Sequence, residues 1–370
     1  MKILIVDTYY PGYLKQQKNL IGKLHHEAAQ NKLRESLFGT GDFYSKNLSY
    51  FGIEAKEIIP NSKELQKKYW QEKGSFLNTF RLNLPYQLNR VPVLNKLGLH
   101  TSSYENYILE HVNEMQPDVV YSQDLSFITP TCADKIRSRG VKKIIGQIAC
   151  PPPDVSFLKI YDLILTSFPH FVTRFRDLGI NCEYFKIGFE HTILERINTF
   201  HSRDIVCSFV GGISKNHSST IPMLEAASEA VDLSIYGYGA GNLDHKLSPL
   251  HYGEAWGAEM YKYLAKSLIT LNRHIDVAEN YANNMRLYEA TGMGACLVTD
   301  MKDNLHELFK IDEEVVTYSS LGELKDKLLY LKNNPKVASE IGKKGQQRTL
   351  KDHSYYERMR ELANILQRYC

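Results

Sequence analysis

Short apolar runs alternate with helix-like segments along almost the whole chain. In the first half the strand-like runs cover residues 3–6, 53–59, 118–121, 143–148, 163–166 and 183–186. Segments with a helical pattern, such as 42–50 and 103–114, separate them. Strands that alternate with helices in this way favour a parallel sheet covered by helices on both faces. The sequence therefore predicts an α/β protein built on doubly wound sheets.

A second series of strand-like runs begins after residue 203. It consists of residues 205–210, 233–236, 267–271, 296–299 and 315–318, and a helical pattern fills 320–370. The stretch 189–203 between the two series is polar and lacks a strong strand signal. A chain of 370 residues is also long for a single core. We therefore predict two Rossmann-like domains, 1–195 and 196–350, that face each other across a cleft.

Composition excludes several classes of protein. A formal net charge of +3 is too small to indicate a nucleic-acid partner, so none is expected. The six cysteines show no CxxC spacing, which argues against a zinc site or a disulfide framework and for a reducing compartment. No apolar run approaches the roughly 18 residues of a membrane span. A cytoplasmic location is expected.

Residues 61–100 fit neither series of strands. They mix Lys and Arg with aromatic residues and leucines, among them Trp70, Phe76, Phe80 and Tyr86. One interpretation is an amphipathic surface that contacts anionic lipid or a lipid-linked acceptor at the inner face of a membrane. The other is a helical insertion that packs on the first domain.

The segment 283–300 carries the strongest chemical signal. It reads as a helix with Arg286 and Glu289 three residues apart, a small-residue turn and a buried strand. Residues at i and i+3 lie on the same helix face. An arginine can neutralise a diphosphate, and a carboxylate can accept hydrogen bonds from ribose hydroxyls. The pair suits a sugar nucleotide, although an Arg–Glu surface pair is the plainer explanation.

Three further strands of the second domain end in residues that suit a ligand. After 205–210 come Gly211, Gly212, Ser214 and Lys215, which lead into a helix near 220–230 and offer N–H groups and a charge to an anion. Tyr236, Gly237 and Tyr238 follow the next strand, where a tyrosine ring can stack on a nucleobase. Asn272 follows the third. Each loop also reads as an ordinary turn.

Two carboxylates of the first domain are candidates for a catalytic base. Asp7 ends the first strand, and Asp124 follows the strand at 118–121. If the reaction inverts the sugar carbon, one of them must deprotonate the acceptor hydroxyl. A turn-capping role is the alternative for both. No Asp-x-Asp at a strand end indicates a metal site, so we expect cationic groups and a helix dipole to offset the diphosphate charge.

Taken in order, these motifs resemble those of glycosyltransferases with the GT-B fold. The likeness is closest to the bacterial spore-maturation-like or family 1-like subgroup. It is strongest over 208–299, where Phe209-Val210-Gly211-Gly212, Ile235-Tyr236-Gly237, Leu271-Asn272 and Asn284-Met285-Arg286-Leu287-Tyr288-Glu289-Ala290 follow the family's order and spacing. The resemblance also implies that a final helix, 351–370, packs back on the first domain.

The resemblance assigns roles to the second domain. It implies that Glu289 binds the donor ribose, that Lys215 and Arg286 contact the diphosphate, and that the loop after Tyr236 lies near the base. Many retaining enzymes of this fold carry a second Glu eight residues before the ribose Glu, where this chain has Tyr281. The expected donor site comprises Gly211, Gly212, Ser214, Lys215, Tyr236, Gly237, Tyr238, Asn272, Asn284, Met285, Arg286 and Glu289.

The sequence thus predicts a metal-independent, hexosyltransferase-like glycosyltransferase without a cofactor. Its expected donor is a nucleotide-diphosphate sugar, a UDP-sugar first of all, and its acceptor a glycan, a lipid-linked or a small-molecule hydroxyl. Synthesis of bacterial surface glycans or glycoconjugates is the expected setting. The alternatives are a sugar-nucleotide 2-epimerase of the same fold and a non-catalytic sugar-nucleotide-binding or coat-associated protein.

Overall fold

The computed structural model describes residues 1–82, 103–197, 202–214 and 219–370. The first sheet contains six parallel strands, β1 (Lys2–Val6), β2 (Glu54–Ile58), β3 (Val119–Ser122), β4 (Lys143–Ile148), β5 (Leu163–Thr166) and β6 (Cys182–Tyr184). Their order across the sheet is β2-β1-β3-β4-β5-β6. All six strands coincide with the predicted runs to within a few residues. Strands such as β1 and β5, which are buried on both faces, consist of almost continuous apolar sequence, whereas β2 at the edge of the sheet begins with the exposed Glu54.

The side chains of β1 show how this sheet is held. Ile3 and Ile5 enter one hydrophobic core, whereas Leu4 and Val6 enter the core on the opposite face. Successive residues of a strand point to opposite faces, so one apolar run supplies both cores. The helices that cover the sheet are α1 (Pro11–Ile21), α2 (His26–Glu35), α3 (Phe43–Ser49), α4 (Lys63–Glu72), α5 (Phe76–Arg81), α6 (Ser103–Met115), α7 (Pro130–Arg137), α8 (Val155–Leu158), α9 (Pro169–Asp177) and α10 (Ile193–Arg196).

The second sheet has five parallel strands. These are β7 (Ile205–Val210), β8 (Leu233–Tyr236), β9 (Ser267–Asn272), β10 (Cys296–Asp300) and β11 (Val316–Tyr318), and their order is β11-β10-β9-β7-β8. The helices of this half are α11 (Thr220–Ala230), α12 (Ala258–Lys266), α13 (Met285–Gly292), α14 (Leu305–Leu308), α15 (Leu321–Asn333), α16 (Pro335–Asp352) and α17 (Tyr355–Tyr369). The predicted fold class, two Rossmann-like α/β sheets, is confirmed.

The last helix, α17, contacts the first domain. Its Tyr355 packs against Phe43 of α3, with ring centroids 5.3 Å apart. The hydroxyl of Tyr369 donates a hydrogen bond of 2.9 Å to Glu183 Oε1. Between the domains, the backbone N–H of Tyr355 donates to the carbonyl of Phe189 over 2.9 Å. One apolar cluster runs from the first sheet through this junction into the second domain, so the two halves share a core.

The segment 61–100 is described as far as residue 82. Helix α4 packs on the first domain, with Leu65, Tyr69 and Trp70 buried. Helix α5 is different, because Phe76 and Leu77 are 80% and 65% exposed. The rest of the segment, with Tyr86, lies outside the described residues. No helix in the described part of the chain is long and apolar enough to cross a membrane.

Candidate functional site

Each sheet has a topological switch point, where the chain stops adding strands on one side of its first strand and continues on the other side. Doubly wound folds bind ligands in the crevice that opens there, at the carboxyl ends of the strands. In the first sheet the switch point falls between β1 and β3, and in the second between β7 and β9. Asp7 and Asp124 follow β1 and β3. Gly211 follows β7, and Asn272 is the last residue of β9. These four residues therefore lie at the two crevices.

Two asparagines fix the start of α13 above the second crevice. The side chain of Asn284 accepts a hydrogen bond of 3.2 Å from the backbone N–H of Leu287, a normal N-cap contact. It also donates to Asn272 Oδ1 over 2.9 Å. Asn272 is buried and donates in turn to Thr299 Oγ1 at the end of β10 over 3.0 Å. Hydrogen bonds of Asn272 and Asn284 thus join the start of α13 to the ends of β9 and β10. Met285 is partly buried and packs against the core.

Arg286 and Glu289 form an ion pair on the first two turns of α13. Arg286 Nη1 lies 2.7 Å from Glu289 Oε2, and the side chains are 15% and 7% exposed. Arg286 Nε also donates to the carbonyl of Val210, the last residue of β7, over 2.9 Å. The second carboxylate oxygen of Glu289 accepts a longer hydrogen bond, 3.4 Å, from the hydroxyl of Tyr261. The pair is therefore held at the crevice and is not a solvated surface pair.

Glycines allow close contact between the loop that follows β7 and the loop that follows β8. Gly237 has a φ of 141°, and a Cβ there would lie 1.9 Å from the carbonyl oxygen of Gly211. A Cβ on Gly212 would lie 2.3 Å from the ring of Tyr238. The backbone N–H of Gly211 donates to Tyr236 O over 2.9 Å. The pairing of β7 and β8 thus continues beyond the strands. A side chain at position 237 would collide with the backbone of Gly211, and one at position 212 would require the ring of Tyr238 to move.

The two tyrosines after β8 occupy different environments. Tyr236 is 6% exposed, and its ring stacks on Tyr263 with centroids 3.9 Å apart. Tyr238 stacks on Trp256, with centroids 5.6 Å apart and an interplanar angle of 7°. One face of Tyr236 is therefore already covered inside the domain. Tyr238 lies at the cleft.

The loop after Gly212 is described only in part. Ser214 is partly buried and is engaged in an interaction of its own. Lys215, which was predicted to contact the diphosphate, lies outside the described residues.

Asp7 sits in a polar cluster at the first crevice. Its Oδ1 accepts a hydrogen bond of 2.7 Å from the backbone N–H of Thr8, and its Oδ2 a long one of 3.4 Å from Thr40 Oγ1. Burial raises the pKa of Asp7 from 3.8 to about 7, against the hydrogen bond from Thr8, and the negative charge of Glu57 adds to the rise. A carboxyl group with a pKa near 7 is well matched to proton transfer at neutral pH.

Asp124 is held in a turn. Its Oδ1 accepts hydrogen bonds from the backbone N–H and the hydroxyl of Ser126, over 3.0 and 2.6 Å. A bond to the N–H two residues ahead is typical of an Asx-turn. The other oxygen accepts a hydrogen bond of 3.4 Å from Thr8 Oγ1, which links Asp124 to the cluster around Asp7. The alternative role, capping a turn, therefore fits Asp124 better than it fits Asp7.

Tyr10 of the first domain contacts aromatic residues of the second domain across the cleft. It precedes α1, is 53% exposed, and contacts both Tyr238 and Trp256 edge-on, at centroid distances of 5.9 and 5.8 Å. Desolvation raises the pKa of Tyr10, and so do the charges of Tyr238, Cys150 and Glu289. The loop after β1 therefore faces Glu289 across the cleft.

Four residues of this region were not predicted as site residues. They are Tyr10, Tyr261, Arg273 and His274. Arg273 and His274 belong to the polar stretch Asn272-Arg273-His274 at the end of the third predicted strand, whose position suits a ligand, but the expected donor site included only Asn272. Nothing in the local sequence marks Tyr10 or Tyr261. Within the described ranges, no group of three or more His, Cys, Asp or Glu side chains is arranged to hold a metal ion.

Comparison with known proteins agrees with this geometry. Residues 220–364 match the family model described as glycosyl transferase-like. These residues cover α11 to most of α17 and include the Arg286–Glu289 pair. The match thus lies in the second half of the chain. No curated protein sequence matches the chain.

Solved structures resemble the chain over its whole length. HepE from Anabaena, in complex with UDP-glucose, is 11% identical, with a TM-score of 0.59 and 100% of both chains covered. A glycosyltransferase from Rickettsia africae is 11% identical, with a TM-score of 0.60 and coverage of 100% of this chain and 98% of the other. Sucrose-phosphate synthase from Thermosynechococcus elongatus is 9% identical, with a TM-score of 0.58 and the same coverage.

The chain has the GT-B fold. Its two sheets correspond to the two Rossmann-like halves of that fold, and the crevices described above face each other between them. At identities of 9–11% the likeness concerns architecture, so the chemistry has to be argued from the residues at the crevices.

Proposed function

We propose that this GT-B protein transfers a hexose-like sugar from a nucleotide-diphosphate sugar to an acceptor hydroxyl. The observation that carries the proposal is the buried Arg286–Glu289 pair at one crevice, opposite Asp7 at the other. The pair offers a cation and a carboxylate to a diphosphate and a ribose. Asp7 offers a base with a pKa near neutrality.

The donor is placed in the second domain. Glu289 accepts hydrogen bonds from ribose hydroxyls, Arg286 and Lys215 neutralise the diphosphate, and Tyr238 lies near the base. UDP-sugars are the first donors to test, because HepE, a structural neighbour, has been solved in complex with UDP-glucose. The narrower likeness to the spore-maturation-like subgroup belongs to this proposal.

The acceptor is placed between Tyr10 and Asp7 in the first domain. In an inverting reaction the acceptor oxygen attacks the anomeric carbon, the bond from that carbon to the diphosphate oxygen breaks, and the acceptor proton passes to Asp7. The charge that grows on the leaving diphosphate is met by cations already in position, without a metal ion or a cofactor. Asp124 holds Thr8 and thereby the loop that carries Asp7.

The test starts with binding and proceeds to turnover. A thermal-shift screen against UDP, GDP, dTDP and CMP sugars finds the donor, because a ligand that binds the folded state raises its stability. The stabilising donor is then incubated with and without acceptor sugars. Release of the nucleoside diphosphate only with an acceptor supports transfer. Conversion of the donor alone to a free epimer would favour the 2-epimerase, and binding without turnover would favour the non-catalytic protein.

Membrane contact through 61–100 forms part of the proposal. Helix α5 exposes Phe76, Leu77 and Phe80. The exposed Lys67 and Lys73 precede it in sequence, and Lys73 pairs with Glu114. Such a surface suits the inner face of a cell membrane and an acceptor that is lipid-linked, as in surface glycan synthesis. The wild-type chain should float with vesicles that contain phosphatidylserine, whereas Phe76→Ser with Phe80→Ser should not. Equal flotation of both proteins would contradict a role for α5.

A further inference from the structure

Unsatisfied polar groups in the second domain are concentrated in one segment. Among the residues described for this domain, 202–214 and 219–352, five buried side-chain atoms have no hydrogen-bond partner. All five lie between Arg273 and Tyr288, and three of them are nitrogens. Arg286 Nη1 is held in the ion pair with Glu289, whereas Arg273 Nε and His274 Nε2 have no partner within the described residues. Buried polar groups are normally paired, so a concentration of this kind points to a function of the segment.

Arg273 directly follows β9, at the second crevice. It is 5% exposed, and its Nη1 donates to the carbonyl of His274 over 3.0 Å. The backbone carbonyl of Arg273 accepts from Asn284, so the residue is tied to the start of α13. Burial lowers the pKa of Arg273 to about 10, while the charges of Asp276 and Asp300 work in the opposite direction. The guanidinium therefore stays charged in a largely desolvated position.

His274 is oriented by a carboxylate. Its Nδ1 lies 2.8 Å from Asp300 Oδ1, and its side chain is 1% exposed. Lys302 binds the other oxygen of Asp300 at 3.2 Å. Asp300 is thus engaged on both oxygens, which fixes the imidazole ring. Nε2 is the nitrogen that has no partner within the described residues.

We propose that Arg273 and His274 form part of the diphosphate-binding site for the donor. The two side chains follow β9 at the switch point, beside the start of α13, and each keeps one buried nitrogen without a partner in the described part of the chain. The oxygens of a nucleoside diphosphate accept hydrogen bonds from a guanidinium group, which is well suited to phosphate. They accept one from His274 Nε2 in the imidazolium form, in which Nδ1 donates to Asp300 at the same time. The inference deepens the proposed function and rests on it.

The competing explanation is that Arg273 is a structural arginine. The chain offers a matched example in Arg203, which lies before β7 and is partly buried. Arg203 donates to the carbonyls of Ala265, Ser267 and Met293 over 3.1, 2.6 and 3.1 Å. These carbonyls lie near the amino ends of β9 and β10, whereas the crevice lies at the carboxyl ends of the strands. An arginine that ties chain segments together has its donors paired with carbonyls. Arg273 pairs one donor in this way and leaves Nε unpaired.

The experiment compares Arg273→Met, His274→Phe and Arg203→Met by calorimetry with UDP, UMP and uridine. For Arg273→Met we expect the Kd of UDP to rise about 10- to 100-fold, the loss typical of one charged hydrogen bond. The Kd of uridine should stay within about 2-fold, since uridine lacks phosphates. Arg203→Met should lower thermal stability and leave the ratio of the UDP and uridine constants unchanged.

The outcomes separate the two proposals. Wild-type protein that binds UDP, with folded Arg273→Met and His274→Phe that bind it equally well, would overturn the inference and leave the proposed function standing. A wild-type chain that binds no nucleoside diphosphate would overturn both. If Arg273→Met does not fold, Arg273→Lys keeps the charge. A loss of UDP affinity in Arg273→Lys with unchanged uridine affinity supports the site, and unchanged UDP affinity contradicts it.

Discussion

Replacing Glu289 by Gln removes one charge at the donor crevice and keeps the shape of the side chain. Glu289 Oε2 is 2.7 Å from Arg286 Nη1, and the two side chains are 7% and 15% exposed. Arg286 keeps its hydrogen bond to Val210 but loses its charged partner. Leaving a buried charge without its partner should cost about 2–3 kcal/mol of the free energy of unfolding. For a domain of this size the melting temperature should fall by about 4–12 °C.

The same substitution should weaken nucleotide binding, and the two effects can be separated. Loss of a charged hydrogen bond to ribose costs about 1.5–3 kcal/mol, a rise of about 10- to 150-fold in the Kd of UDP. Glu314→Gln is the matched control, because Glu314 Oε2 pairs with Arg348 Nε at 3.0 Å in the same domain. Glu314 precedes β11 and so lies near the amino end of this edge strand, whereas the crevice lies at the carboxyl ends of the strands. Its variant should lose stability and retain UDP affinity.

Calorimetry and thermal denaturation on both variants decide the matter. Folded Glu289→Gln that binds UDP as tightly as the wild type, with lowered melting temperature, would refute the reasoning. In that case Glu289 would hold Arg286 in place and would not contact the donor. A Glu314→Gln variant with the same loss of affinity would also refute it, because a general loosening of the domain would then explain both results.

Four further outcomes are expected. Turnover should need no divalent metal, and activity lost in EDTA and restored by Mg²⁺ or Mn²⁺ would contradict this. Lys215→Ala and Arg286→Ala should each lower kcat and not merely raise KM, because the leaving diphosphate gains charge in the transition state; steady-state kinetics on folded protein check this. With the pKa of Asp7 raised to about 7, its ionised fraction and hence kcat/KM should rise with pH through that value, and Asp7→Asn should abolish turnover. Burial lowers the pKa of His26 to about 4 and of His111 to about 3, from 6.5. Between these values and 6.5 the unfolded chain binds more protons than the folded one, so the free energy of unfolding should fall by about 1.4 kcal/mol for each histidine with every pH unit below 6.5. In His111→Phe this fall should be smaller, because one of the two histidines is absent. Urea denaturation of both proteins at several pH values measures the difference.

The fold was predictable because its strands are signalled locally. An apolar run buried on both faces can be recognised without knowledge of its partners, and β4 and β5 coincide with the predicted runs 143–148 and 163–166. Strand ends are less certain, since pairing sets them. β6 was expected at 183–186 and is found at Cys182–Tyr184, where its last pair is Tyr184 with Thr166 of β5.

The site was predictable only where a motif and a strand end coincide. Arg286 and Glu289 share a helix face, and the helix period alone brings them together. Tyr10 and Trp256 lie about 250 residues apart in sequence and meet because the domains meet, which no local pattern reports. The glycines after β7 and β8 illustrate the same point. Their spacing suggested a ligand, and the structure shows that they also allow the two loops to approach each other closely.

Position 281 shows how a family position can acquire another role. Where many retaining enzymes of this fold carry a Glu, the ring of Tyr281 stacks on His170 of α9, with centroids 5.2 Å apart and an interplanar angle of 14°. His170 Nε2 lies 3.1 Å from the carbonyl oxygen of Val277, and Arg174 of the same helix pairs with Glu279. The segment before α13 is thus a contact between the domains. A carboxylate at 281 would meet the imidazole of the first domain. Under the proposed function, the charges at the reacting carbon therefore come from Asp7 and from the cations around α13.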